Sequence, residues 1–133
     1  MPARAAVYDL LSGDETIAEL GVTGVYPTQS VDTPSDDRFL IIRNDAKQLS
    51  FGRRGPETCS IWAHDRSGDY GQIDKILERV KDLLEGAIHR AGSDGWILTT
   101  ASWLGDGPDL YDPGYNTVTR WSDFKTVSRY SST

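Results

Sequence analysis

Apolar residues near the N-terminus recur at helical spacing: Val7, Leu10 and Leu11 fall on one side of a segment running from Ala3 to Leu11. Ser12-Gly13-Asp14 interrupts that pattern, and a second short helical turn is predicted over Glu15 to Leu20, ended by Gly21. Val22 to Tyr26 reads as a brief strand or as the entry to a loop, and Pro27 to Asp37 is non-periodic and loop-like. Arg38 to Arg43 (RFLIIR) is a strand with both faces apolar, since Phe39 and Ile41 point one way while Leu40 and Ile42 point the other. Such a strand belongs inside a sheet. A polar connection, Asn44 to Pro56, leads to a second strand, Glu57 to His64, and then to a turn over Asp65 to Asp69.

The most periodic stretch comes next. Ile73, Ile76, Leu77, Val80, Leu83 and Leu84 form one stripe, with charged residues between them, so a long amphipathic helix is predicted. Asp69 followed by Gln72 has the form of a capping box, and Gly86 is a candidate C-terminal stop. Ala87 to Gly95 shows no pattern. Trp96 to Leu104 reads as a strand, Gly105 to Gly114 as a loop, and Tyr115 to Trp121 and Phe124 to Tyr130 as two strands separated by a turn or bulge at Ser122-Asp123. The order predicts an α+β fold: a mostly antiparallel sheet, an N-terminal helix, and the long helix packed on one face. No repeat or linker divides residues 1–133, so one domain is expected.

Composition narrows the chemistry. A single cysteine, Cys59, excludes an internal disulfide framework and multi-cysteine zinc sites, and fits synthesis in a reducing compartment. No signal peptide is expected at the N-terminus, and no stretch approaches the roughly 20 apolar residues that span a bilayer, so a soluble protein is expected. The net charge of −6 is a poor basis for gripping phosphates, which requires clustered Lys and Arg.

No catalytic, cofactor or metal site follows from the residues. Cys59 and His64 stand five apart on one strand and so face opposite ways, which argues against a Cys–His nucleophile and for a buried structural cysteine. His64-Asp65 has no serine nucleophile beside it and reads as a hydrogen-bonded turn. Asp106, Asp109 and Asp112 lack the spacing and closing Glu of an EF-hand, and tight-turn chemistry accounts for them. Arg53 and Arg54, between glycines, are either a solvated tip or an interface element. Trp62, Trp96, Trp103 and Trp121 all lie on predicted strands. One helix cannot cover so much apolar surface on a sheet, and aromatics with Arg anchor interfaces. A docking role follows, with Phe51, Arg53, Arg54, Trp103, Asp109, Leu110 and Tyr111 as candidate interface residues.

Several segments taken together resemble the tail terminator proteins of long-tailed bacteriophages, particularly those infecting actinobacteria. They are RAAVYDLL, DETIAELGV, FLIIR, SIWAHDRSGDY running into IDKILERVKDLLEG, ASWLGDGPDLYDPGYNTVTRW, and FKTVSR. These cover nearly the whole chain, and the WAHD…DY junction and SWLGDGPDLYD are the more distinctive parts. The resemblance implies a six-membered ring on the head-proximal end of the tail tube, which ends tube polymerisation and offers the surface for head joining. The implied partners are further copies, the tail tube protein and head–tail connector proteins. DNA would pass the lumen unbound, with no membrane, catalysis or cofactor involved, in the virion and, during assembly, the host cytoplasm. The alternatives are another neck component (head-closure or adaptor protein), a small enzyme using His64 and Asp65, and a monomeric binding module.

Overall fold

The computed structural model describes residues 3–28, 34–44 and 57–130. In chain order its elements are α1 (Arg4–Ser12), α2 (Glu15–Glu19), β1 (Gly24–Tyr26), β2 (Arg38–Asn44), β3 (Glu57–Asp65), α3 (Tyr70–Gly86), β4 (Arg90–Ala91), β5 (Trp96–Asp106), β6 (Leu110–Asp112) and β7 (Thr117–Tyr130). The strands form one sheet in the order β1-β2-β3-β7-β5-β4, with β6 also on β7. Only the β1–β2 pair is parallel; the other described pairs are antiparallel.

Strand alternation divides the core. Leu40, Ile42, Cys59, Ile61, Ala63, Leu98, Ala101 and Phe124 are buried on the face that meets the helices. Against them pack Ala6, Val7 and Leu11 of α1, Ile17 of α2, and Ile73, Ile76, Leu77, Val80 and Leu84 of α3. Full burial of one such aliphatic side chain contributes about 1.5–3 kcal/mol, so this face dominates the packing energy. Phe39, Ile41 and Tyr115 form a smaller cluster on the opposite face, with Tyr26 and Trp62 against it. The two apolar faces of RFLIIR are thus both in use, and β2 lies inside the sheet between β1 and β3.

The helices are tied by polar contacts that the hydrophobic pattern does not reveal. Asp14 caps α2 by accepting from the Ile17 N–H, and its carboxylate also receives both arms of Arg79 from α3, at 3.0 and 2.8 Å. That bidentate hydrogen bond holds the Asp14 pKa below its ordinary value. Asp69 caps α3 through the Gln72 N–H. The Gln72 side chain, however, donates to the Leu20 carbonyl at 2.6 Å and so fastens α3 to the end of α2 rather than closing a capping box.

Several boundaries differ from expectation. Gly86 is the last helical residue and not the stop, because Ala87 leaves the helix in an extended conformation. The unpatterned stretch after α3 contains β4, whose two exposed residues carry no apolar alternation to betray it. The Asp-rich segment contains β6. Ser122 and Asp123 do not interrupt the last strand: β7 is continuous over 14 residues. Both polar side chains find partners across the sheet, Ser60 donating to Asp123 at 2.5 Å and Ser122 donating to Asp106 at 2.5 Å, so a break is unnecessary.

Candidate interaction surface

β5 leaves the sheet at Asp106, turns, and returns as β6 along the same side of β7. The turn is tight because Gly107 lies against the Trp121 ring; a Cβ there would sit 2.3 Å from the indole. Its N–H donates to the Trp121 carbonyl at 2.8 Å. On the helix side, Arg120 reaches under the turn. It donates to the Gly107 carbonyl at 3.1 Å, pairs with Asp109 at 3.3 Å and Asp106 at 3.9 Å, and bonds Asp74 of α3. The turn is therefore pinned to both β7 and α3.

Four of the candidate interface residues sit at this corner. Asp109 is held by Arg120. Trp103 donates from its indole to Asp106 at 3.0 Å, and the Lys81 ammonium lies 4.1 Å from its ring centroid. Leu110 and Tyr111 are on β6, where the Leu110 carbonyl accepts from the Tyr70 hydroxyl at 2.7 Å and the Tyr111 hydroxyl bonds Asn116. Leu110 and Trp103 are 39% and 38% exposed, Tyr111 58%, and the neighbouring Leu104 54%. Their backbones are fixed while their apolar surfaces face outward. A depression of about 290 Å³ between α3 and β5, lined by Asp74, Glu78, Lys81, Trp103, Asp106 and Arg120, adjoins them. Phe51, Arg53 and Arg54 lie outside the described residues.

Arg120, Asp74, Lys81 and Leu104 were not among the sequence candidates. Arg120 falls in an alternating strand pattern where nothing distinguishes it from any solvated Arg, and Asp74 lies 46 positions away. Leu104 carried a signal, an apolar residue next to Trp103 at the end of a strand.

The residues considered for catalysis are dispersed. Cys59 is buried against the helices. His64 points to the other face, stacked on Phe39 with centroids 4.8 Å apart and its Nδ1 2.8 Å from the Thr117 hydroxyl. Both His64 and Asp65 are strand residues, not a turn, and adjacent strand residues face opposite sides. Burial pushes the His64 pKa down to about 4. Asp65 accepts from Arg38 at 3.2 Å and from the Ser67 hydroxyl at 2.7 Å. It borders a polar cleft of about 640 Å³ that His64 does not line. Arg66, in that cleft, donates to the Pro34 and Tyr115 carbonyls at 3.1 and 3.3 Å, which holds loop ends in place.

Among the described residues no group of three or more His, Cys, Asp or Glu side chains is arranged to hold a metal ion. Asp106 and Asp109 face Arg120, and Asp112 accepts the Gly114 and Tyr115 N–H groups, as a turn residue does. No helix among the described residues is long and apolar enough to cross a membrane.

No protein-family model matches the chain, and no curated protein matches it. Among solved structures, a chain from the virion of a native gene transfer agent particle superposes with a TM-score of 0.71. The match covers 94% of this chain and 92% of that one, at 20% sequence identity. The two chains share a fold. At that identity the likeness concerns architecture.

Proposed function

We propose that this chain is a structural virion protein of a tailed, phage-like particle, acting as one tail-terminator-like domain. In this reading copies form a ring, six-membered as the sequence resemblance implies, on the head-proximal end of the tail tube. The ring stops addition of tube protein and presents the surface that meets the head–tail connector proteins. The observation that carries the reading is the end-to-end fold likeness to a chain of a gene transfer agent virion. The sequence segments that resemble tail terminators point the same way without depending on that superposition.

The physical features fit. A ring subunit needs rigid, outward-facing anchors: Leu110 and Tyr111 are apolar side chains beside a turn pinned by Arg120 and Tyr70, and Trp103 is held in register with Phe124 of β7. Asp109 has a positioning role there, through its pair with Arg120. Phe51, Arg53 and Arg54 remain candidates on the sequence alone. A net charge of −6 suits a lumen that DNA must traverse without adhering.

The test is removal of the gene from its phage, followed by negative-stain electron microscopy of the lysate. Overlong or unjoined tail tubes beside separate DNA-filled heads are expected. Normal-length tails without heads would move the protein to the neck, and intact infectious particles would overturn the structural role.

A further inference from the structure

β5 is eleven residues long, yet β4 pairs only with Ile97 and Leu98, with two flanking bonds, from the Gly92 N–H to the Trp96 carbonyl and from the His89 N–H to the Thr99 carbonyl. Beyond that point, from Thr100 to Leu104, no strand lies outside β5 among the described residues. The Trp103 N–H faces outward, toward the Glu85 carboxylate 3.5 Å away. Backbone groups alternate sides along a strand, so Ala101 also presents its N–H and carbonyl outward. Thr100, Ser102, Trp103 and Leu104 are exposed. Monomeric proteins usually guard such an edge with Lys, Pro or an inward charge. The stretch TASWL contains no charged residue and no proline; one irregularity, at Leu98/Thr100, precedes it and the other, at Trp103/Gly105, falls on its last residue, Leu104.

The opposite end of the sheet is β1, three residues long, with β2 on one side and no described strand on the other. Strand directions follow from the pairings. β1 runs with β2, against β3, with β7 and against β5. If two copies lie side by side with their sheets continuous, β1 of one meets β5 of the next antiparallel, as β4 already does. The free stretch of β5 is long enough to take β1 beside β4.

We propose that copies of this chain join head to tail through their sheet edges, with β1 of one copy pairing antiparallel with Thr100–Leu104 of the next. The proposal rests on the ring reading above. A head-to-tail contact closes into a ring when its rotation permits, and closure leaves no open edge.

Two full-length variants test it. Thr100→Lys with Ser102→Lys places charges on the open edge, at exposed positions, without touching the core. Ser12→Lys with Thr16→Lys adds the same charge at exposed positions on α1 and α2. Each is first checked by circular dichroism and thermal melting, then supplied to the gene-deleted phage, and its amount in purified particles is measured. The edge variant should be incorporated about tenfold less than wild type or worse, since a short ladder of hydrogen bonds is lost, and the control within about twofold. Equal incorporation of both folded variants would overturn the edge pairing while leaving the virion role intact. If the wild-type chain itself were absent from particles, the virion role would fail, and sedimentation of the purified protein decides the rest. Concentration-dependent association abolished by Thr100→Lys with Ser102→Lys would sustain edge pairing; a monomer at every concentration would end it.

Discussion

Around His64 the sheet carries aromatic side chains that have found one another; at the β5–β6 turn it carries aromatic and aliphatic side chains that have not. Phe39, His64 and Tyr115 form a triangle of rings, with centroids 4.8, 5.3 and 5.6 Å apart, and Trp62 stacks on Trp121 at 4.4 Å. Phe39 is fully buried and His64 nearly so. At the turn, by contrast, Trp103, Leu104, Leu110 and Tyr111 are exposed although Arg120 and Tyr70 hold the backbone at Gly107 and Leu110. Composition is similar in the two places, so residue type alone does not separate core from contact surface. What separates them is register. Strands β2, β3 and β7 place Phe39, His64 and Thr119 in one row across the sheet, whereas β5 and β6 lie at its margin, where rows run out.

The largest expected effect tests whether the His64 cluster is core. Phe39→Ala should destabilise the protein by about 3–5 kcal/mol in urea unfolding, because the ring is buried and its stacked neighbours cannot collapse into the gap. Trp103→Ala should cost less, about 1–2 kcal/mol by the same measurement, because the ring is partly exposed and loses only its Asp106 bond and Lys81 contact. Similar losses for the two would erase the distinction.

Protonation gives a second, smaller handle. His64 is neutral in the folded protein, its pKa pushed by burial to about 4, against an ordinary value of 6.5. The unfolded chain therefore takes up the proton first as pH falls, and stability is lost between pH 6.5 and 4. From pH 7.5 to 5 the loss should be about 2 kcal/mol, read from urea midpoints. His64→Gln should lower stability at pH 7.5 yet flatten that part of the profile. An unchanged slope in the variant would show that the histidine is not the group responsible.

How much of this was legible beforehand depends on the signal each element carries. The strand RFLIIR, the stripe from Ile73 to Leu84 and the cap at Asp69 are local patterns, and they emerge at the expected positions. β4 and β6 are held by pairing with β5 and β7 and have no internal period to read. β7 looked broken because Ser122 and Asp123 are turn-formers, and only their cross-sheet partners, Asp106 and Ser60, explain why they stay in the strand. The exposed corner was legible in part: Leu110 and Tyr111 stood out as apolar residues in an Asp-, Gly- and Pro-rich segment, while Arg120 stood out only once the turn was folded over it.

The smallest stability effect carries the sharpest functional contrast. Leu110 and Tyr111 are exposed, so Leu110→Ser with Tyr111→Ala should move unfolding free energy by no more than about 0.5 kcal/mol each. If the corner is a contact surface, that folded variant should still be depleted in purified particles, since truncating an aromatic anchor at an interface commonly costs about 2 kcal/mol or more of binding. The ratio of the two effects is the informative quantity. A residue whose removal weakens assembly far more than folding belongs to the surface that meets a partner. One that weakens both together, as Phe39 should, belongs to the core. Normal incorporation of the Leu110/Tyr111 variant would clear the corner and leave the exposed β5 edge as the better place to look for the neighbouring subunit.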